Sequence, residues 1–254
     1  QYRYGAKPPE FLLTHPVTES RIADTRNRAE QMPKGGVEDS LRYQLMRMRV
    51  QLFYEESPGM AAKRFRSMLD ENPKLDAARY GLALAQMKNG QLSEAQQSLQ
   101  PLLKGTPDDL TYNLAQLELD MAQDHLDDAQ RRLSHLLPLY PGSYSLQQSR
   151  IDLLLKQRRI QDAERALDEL LKSRDKDPDV WYQVAEVRGL SGNTIGLHQA
   201  RGEFFALVGD YNQALEQLDF AKRRASNNFQ LASRIDARQR ELAEEKRLVE
   251  QMLR

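Results

Sequence analysis

The sequence has no cysteine among its 254 residues. That excludes disulfide staples, thiolate zinc sites and cysteine nucleophiles, and leaves both cytoplasm and periplasm open. It has no net charge either: lysine plus arginine and aspartate plus glutamate number 37 each, so no global field selects nucleic acid or an anionic membrane. No run of eighteen apolar residues exists, so no segment reads as a membrane-spanning helix. Aromatic residues are scarce at 7%, against 29% charged, which suits exposed helical surfaces and many small interfaces rather than one thick sheet core. The first thirty residues lack the charged start, apolar stretch and small-residue cleavage site of a signal peptide. The chain begins at Gln1, and any export signal is expected upstream of it.

Catalytic signatures are equally scarce. The four histidines, His15, His125, His135 and His198, form no His-Glu-x-x-His helix and no pair at ligand spacing on one helix face. Phosphate-cradling glycine loops and the Gly-x-Ser-x-Gly elbow are absent. Ser173 to Lys176 fits Ser-x-x-Lys by coincidence, where one repeat gives way to the next. His125 stands beside three acids at an inter-helix bend and reads as a solvated turn, while His135 and His198 read as repeat-surface positions. Lys222, Arg223 and Arg224 suit the dipole of a helix C-terminus, and without interleaved aromatics they point weakly to nucleic acid. The expectation is a chain with no catalytic residue and no cofactor of its own.

What is abundant is repetition. Ala61, Ala95, Ala129 and Ala163 recur every 34 residues, as do Phe65, Leu99, Leu133 and Leu167, then Met68, Leu102, Leu136 and Leu170, and Pro73, Pro107 and Pro141. Within each unit the apolar positions share one helical face, the alanine admits a close partner helix, and the proline stops the helix. A single helix hairpin would leave an apolar face wet, so neighbours must stack. The pattern resembles the tetratricopeptide repeat: Ala61-x₃-Phe65 with Pro73 matches the second half of its signature, and Trp181, Val184 and Ala185 approximate the first. The fold class implied is all-α, a solenoid of stacked helix hairpins with the charge-rich C-terminal segment, striped by Leu231, Ile235, Leu242 and Val249, as its capping helix. Gln86 and Asp120 depart from the pattern, standing where tyrosine is usual, which argues for looser packing there.

The step from Ala163 to Ala214 is 51 residues, one and a half repeats. Helices over 178–190, 195–208 and 211–224 therefore change phase by half a unit. Two consequences are open: the array folds back to form a pocket, or the irregularity is a shortened capping repeat.

The opening stretch belongs to something else. "FLLTHPVTESRIADTRNRAEQMP" reads as an extended segment, a His-Pro turn and a helix from about Glu19 to Gln31, followed by a linker at Pro33, Gly35 and Gly36. Thr-His-Pro followed by Glu-Ser-Arg-Ile resembles the end of a Ste24/HtpX-like zinc metallopeptidase domain. Such an ending joined to tetratricopeptide repeats, with "GGVEDSLRYQ" at the junction, resembles the BepA (YfgC)-like family of periplasmic zinc metallopeptidases over nearly all the chain. The resemblance implies residues 1–36 as peptidase remnant and linker and 37–254 as the repeat domain. It also implies a periplasmic location, zinc in the parent protein with His15 near it, and docking on BamA and on LptD-type substrates, peripheral to the outer membrane at most.

In tetratricopeptide arrays the second, fifth, ninth and twelfth positions of each first helix usually line the inner face. Carried onto this sequence, that register selects Met46 and Phe53, then Tyr80, Leu84 and Met87, then Leu114 and Met121, then Tyr182. Such a surface suits apolar or extended polypeptide. An interaction module cut from a periplasmic protease is the leading expectation; a free-standing scaffold or co-chaperone without a protease is the alternative.

Overall fold

The computed structural model describes residues 18–32, 35–36 and 38–252; His15 and the His-Pro turn lie outside them. Thirteen helices occur among the described residues: α1 (Thr18–Gln31), α2 (Leu41–Tyr54), α3 (Pro58–Glu71), α4 (Asp76–Lys88), α5 (Leu92–Gly105), α6 (Leu110–Ala122), α7 (Leu126–Leu139), α8 (Tyr144–Lys156), α9 (Ile160–Arg174), α10 (Pro178–Leu190), α11 (Thr194–Leu207), α12 (Tyr211–Arg224) and α13 (Phe229–Met252). The chain divides into two units between Gln44 and Leu45, inside α2, whereas the sequence pattern put the boundary at 36/37. The first unit holds α1, and the second holds the repeats.

In the repeats the 34-residue pattern becomes packing. Ala61, Ala95, Ala129 and Ala163 are fully buried on α3, α5, α7 and α9, and Phe65, Leu99, Leu133 and Leu167 beside them are at most 1% exposed. The core is a chain of local clusters, one handing over to the next, as in a stacked array.

The same period governs the turns inside each hairpin. Gly90, Asp124, Arg158 and Gly192, each 34 residues after the last, all have positive φ (76°, 62°, 57° and 79°). After each, the next amide reaches back five residues: Gln91 to Gln86 O, His125 to Asp120 O, Arg159 to Leu154 O and Asn193 to Arg188 O, all at 2.8–2.9 Å. This is a Schellman cap, and it requires the left-handed conformation that glycine adopts without a Cβ clash. Two of the four turns hold that conformation with ordinary side chains. Replacing Arg158, whose side chain makes no hydrogen bond or ion pair among the described residues, by glycine is expected to stabilise the protein by about 0.5–1 kcal/mol in urea denaturation.

A fifth such turn, at Gly209 (φ 84°), follows Gly192 after only 17 residues, half a repeat. α11 therefore serves both neighbours: second helix to α10 and first helix to α12, packing on each. α12 carries the second-helix pattern in Ala214, Leu218 and Ala221, all buried. Gly202 makes the double duty possible, because a Cβ there would lie 2.9 Å from Leu218 Cδ2. Beyond α12, α13 buries only Ile235 and Leu242 and keeps the rest of its surface polar. Arg238 ties it back to α11 by paired hydrogen bonds to the Glu203 carboxylate, both 2.9 Å, and this bonding raises the pKa of Arg238 further.

Candidate functional site

The first helices of successive repeats sit side by side, α4 against α6 and α6 against α8. That neighbourhood decides the fate of the register positions. Tyr80, Leu84 and Met121 are buried, and Leu114 and Met87 are half-buried. The assignment of Tyr80, Leu84 and Met121 to a partner-facing surface is thus corrected: adjacent first helices consume these positions in packing against each other. Tyr80 rests on Tyr112, with ring centroids 5.9 Å apart. Three selected residues are exposed: Met46 (40%), Phe53 (73%) and Tyr182 (53%).

Met46 and Phe53 belong to a larger stripe. Val50 and Tyr54 are also exposed on α2, and the spacing 46, 50, 53, 54 sets all four on one helical face. The Phe53 and Tyr54 rings meet edge to face at 5.2 Å. Val50 is the ninth position of its helix and was within reach of the register argument; Tyr54 was not.

A polar string runs across the first helices. Arg49 on α2 donates through Nε to the Tyr80 hydroxyl on α4 at 2.5 Å and through a terminal nitrogen to Glu118 on α6 at 3.4 Å. Burial, together with the Glu118 carboxylate, pushes the pKa of Asp152 on α8 upward. Burial pushes the Tyr80 hydroxyl up to about 12, partly opposed by Arg49. The folded state thus holds the tyrosine proton more tightly than the unfolded chain. Its contribution is present below pH 10 and lost as pH rises through 12, by about 2 kcal/mol at pH 12 for this residue. Urea denaturation of the wild type and of Tyr80→Phe between pH 9 and 12 checks this: the variant should lose less stability over that range.

The second exposed feature lies at the half-repeat step. A cavity of about 230 Å³ opens between α10, α11 and α12, with Tyr182, Ala185, Phe204 and Phe205 as its apolar lining. Tyr182 and Phe204 stand edge to face at 5.6 Å, and Phe204 and Phe205 at 5.3 Å. Arg201, Gln213 and Gln217 complete the lining. His198 Nδ1 donates to Gln217 Oε1 at 2.9 Å, and its ring packs on Phe220 at 5.4 Å, so His198 is a half-buried positioning residue rather than a surface one. The half-repeat spacing locates this pocket in the sequence, but Tyr182 is the only lining residue that the register selects.

The other histidines do little chemistry. His125 is exposed at the start of α7, and exposed His135 contacts Asp108 at 2.9 Å. Among the described residues no group of three or more His, Cys, Asp or Glu side chains is placed to hold a metal ion. No described helix is long and apolar enough to cross a membrane.

Residues 52–119 match the tetratricopeptide repeat family. Over 94% of its length the chain is similar to the β-barrel assembly-enhancing protease of Escherichia coli at 31% identity, and to a putative β-barrel assembly-enhancing protease of Vibrio cholerae at 34%. It spans about half the length of these relatives, 49% and 50% respectively. Among solved structures it resembles PilW, a type IV pilus biogenesis factor, with a TM-score of 0.55 at 18% identity, covering 78% of this chain and 90% of that one. It also resembles a tetratricopeptide repeat protein of Parabacteroides merdae, with a TM-score of 0.51 at 14% identity, covering 85% and 88%. The repeats are thus an all-α tetratricopeptide solenoid, and the chain is a homologue of part of the assembly-enhancing proteases.

Proposed function

We propose that this chain is the protein-interaction part of a periplasmic metallopeptidase that acts in outer-membrane protein assembly, docking the peptidase on BamA and on LptD-type substrates. The observation that carries the proposal is homology over 94% of the chain to proteins named β-barrel assembly-enhancing proteases. The exposed α2 stripe and the aromatic pocket support it, because apolar side chains left on a repeat surface are what polypeptide partners use. Zinc belongs to the peptidase part of the parent. The described residues of this chain do not fit it, His15 lies outside them, and no step of the proposal runs through the metal.

The test is site-specific photo-crosslinking in the full-length parent protein in living cells, with probes at Phe53, at Tyr182 and at exposed Gln100 on α5. The expected result is capture of BamA and LptD from Phe53 and Tyr182, with little from Gln100. Equal capture from all three positions overturns the docking role. Capture of cytoplasmic proteins alone leaves the free-standing scaffold instead.

A further inference from the structure

We infer that the pocket between α10, α11 and α12 takes an aromatic side chain from an extended peptide segment of a partner, with an acidic residue next to it in sequence. This rests on the functional reading above only in taking a polypeptide as the ligand.

Size sets the first limit. A cavity of about 230 Å³ falls below the range of about 300–1,000 Å³ usual for small-molecule pockets, and has room for one large side chain. The lining sets the second. Tyr182 and Phe204 already stand edge to face, and Phe204 and Phe205 continue the cluster, so a further ring extends an arrangement whose geometry suits aromatic neighbours.

Charge sets the third. Arg201 is the only charged side chain of the lining, and among the described residues it makes no ion pair and no side-chain hydrogen bond. Nearby guanidinium groups differ. Arg188 pairs with Glu164 and Asp168, and Arg238 with Glu203, Glu241 and Glu245. An unpaired guanidinium beside an aromatic pocket complements a carboxylate carried near the inserted ring. With Gln217 Oε1 occupied by His198, its amide N–H groups are left to meet the peptide backbone.

The experiment titrates the folded chain with three doubly capped peptides in NMR or fluorescence anisotropy: Gly-Ser-Phe-Glu-Gly-Ser, its Phe-to-Ala form and its Glu-to-Lys form. The Phe-Glu peptide should bind at least about tenfold more tightly than either control. Arg201→Glu, at an exposed position, should reverse the preference between the Glu and Lys peptides, and Phe204→Ala should remove binding of both. Should Phe204→Ala fail to fold, the charge reversal decides alone. Absence of binding, indifference to the Arg201 reversal, or binding only of a peptide ending in phenylalanine with a free carboxylate overturns the inference. The functional reading is judged separately. Crosslinks to BamA that persist when no peptide enters the pocket sink the inference alone. Peptide binding without any such crosslink leaves the inference standing and removes the docking role.

Discussion

Phe65→Ala is expected to lower the free energy of unfolding by about 3–5 kcal/mol. The ring is wholly buried on α3, in the cluster that joins α2, α4 and α5. Opposite it lies Gly81 of α4, where a Cβ would come within 3.2 Å of the ring and 3.1 Å of Met48 Cβ. The phenyl group therefore packs against nearly bare helix backbone, and no flexible side chain stands there to collapse into the space it vacates. Because a repeat array is stabilised by neighbour contacts, the damage should stay local. Hydrogen exchange should accelerate most in α2–α4 and least in α10–α12. A loss below about 1 kcal/mol, or acceleration spread evenly along the chain, would contradict the packing described.

Arg132→Met should cost about 2–4 kcal/mol, for an electrostatic reason. Asp120, 4% exposed, accepts from Gln116 Nε2 at 2.6 Å and from Arg132 Nε at 3.2 Å. Arg132 also donates to Asn113 Oδ1 at 2.8 Å, and Asn113 in turn donates to the carbonyls of Pro107 and Asp109 at 2.6 and 2.9 Å. Methionine keeps much of the apolar stem but removes the cation, leaving a buried carboxylate with one neutral partner. Breaking a buried pair typically costs about 3–5 kcal/mol, and the partial exposure of the Arg132 side chain moves the figure down. The double variant Asp120→Leu with Arg132→Met removes both charges and should recover to within about 1 kcal/mol of wild type. Urea denaturation of the three variants decides; a double variant no better than Arg132→Met would show that the pair is not the source of the loss.

This network also changes the meaning of two positions. Gln86 and Asp120 break the tetratricopeptide pattern, and the sequence argued for looser packing there. Both are buried and bonded instead: Ser98 donates to Gln86 Oε1 at 2.7 Å, and Asp120 is held as described. The partners come from the following helix, twelve residues on in each case, so a motif that compares one position at a time does not register them.

The helices, the hairpin pairing, the half-repeat step and the polar terminal helix were all determined by the sequence alone. The reason is that they depend on local chemistry: a period of 34, small residues where helices approach, and turns that need a left-handed residue. The phase change was written in two spacings, 51 residues between alanines and 17 between turn glycines, and α11 obeys both. Which register positions remain open to a partner was decided only by the tertiary structure. Tyr80 and Phe53 hold comparable places in their helices, yet one is fully buried and the other 73% exposed. Solvent exposure belongs to a residue's neighbours, and those neighbours lie on other helices, brought to it only when the repeats stack.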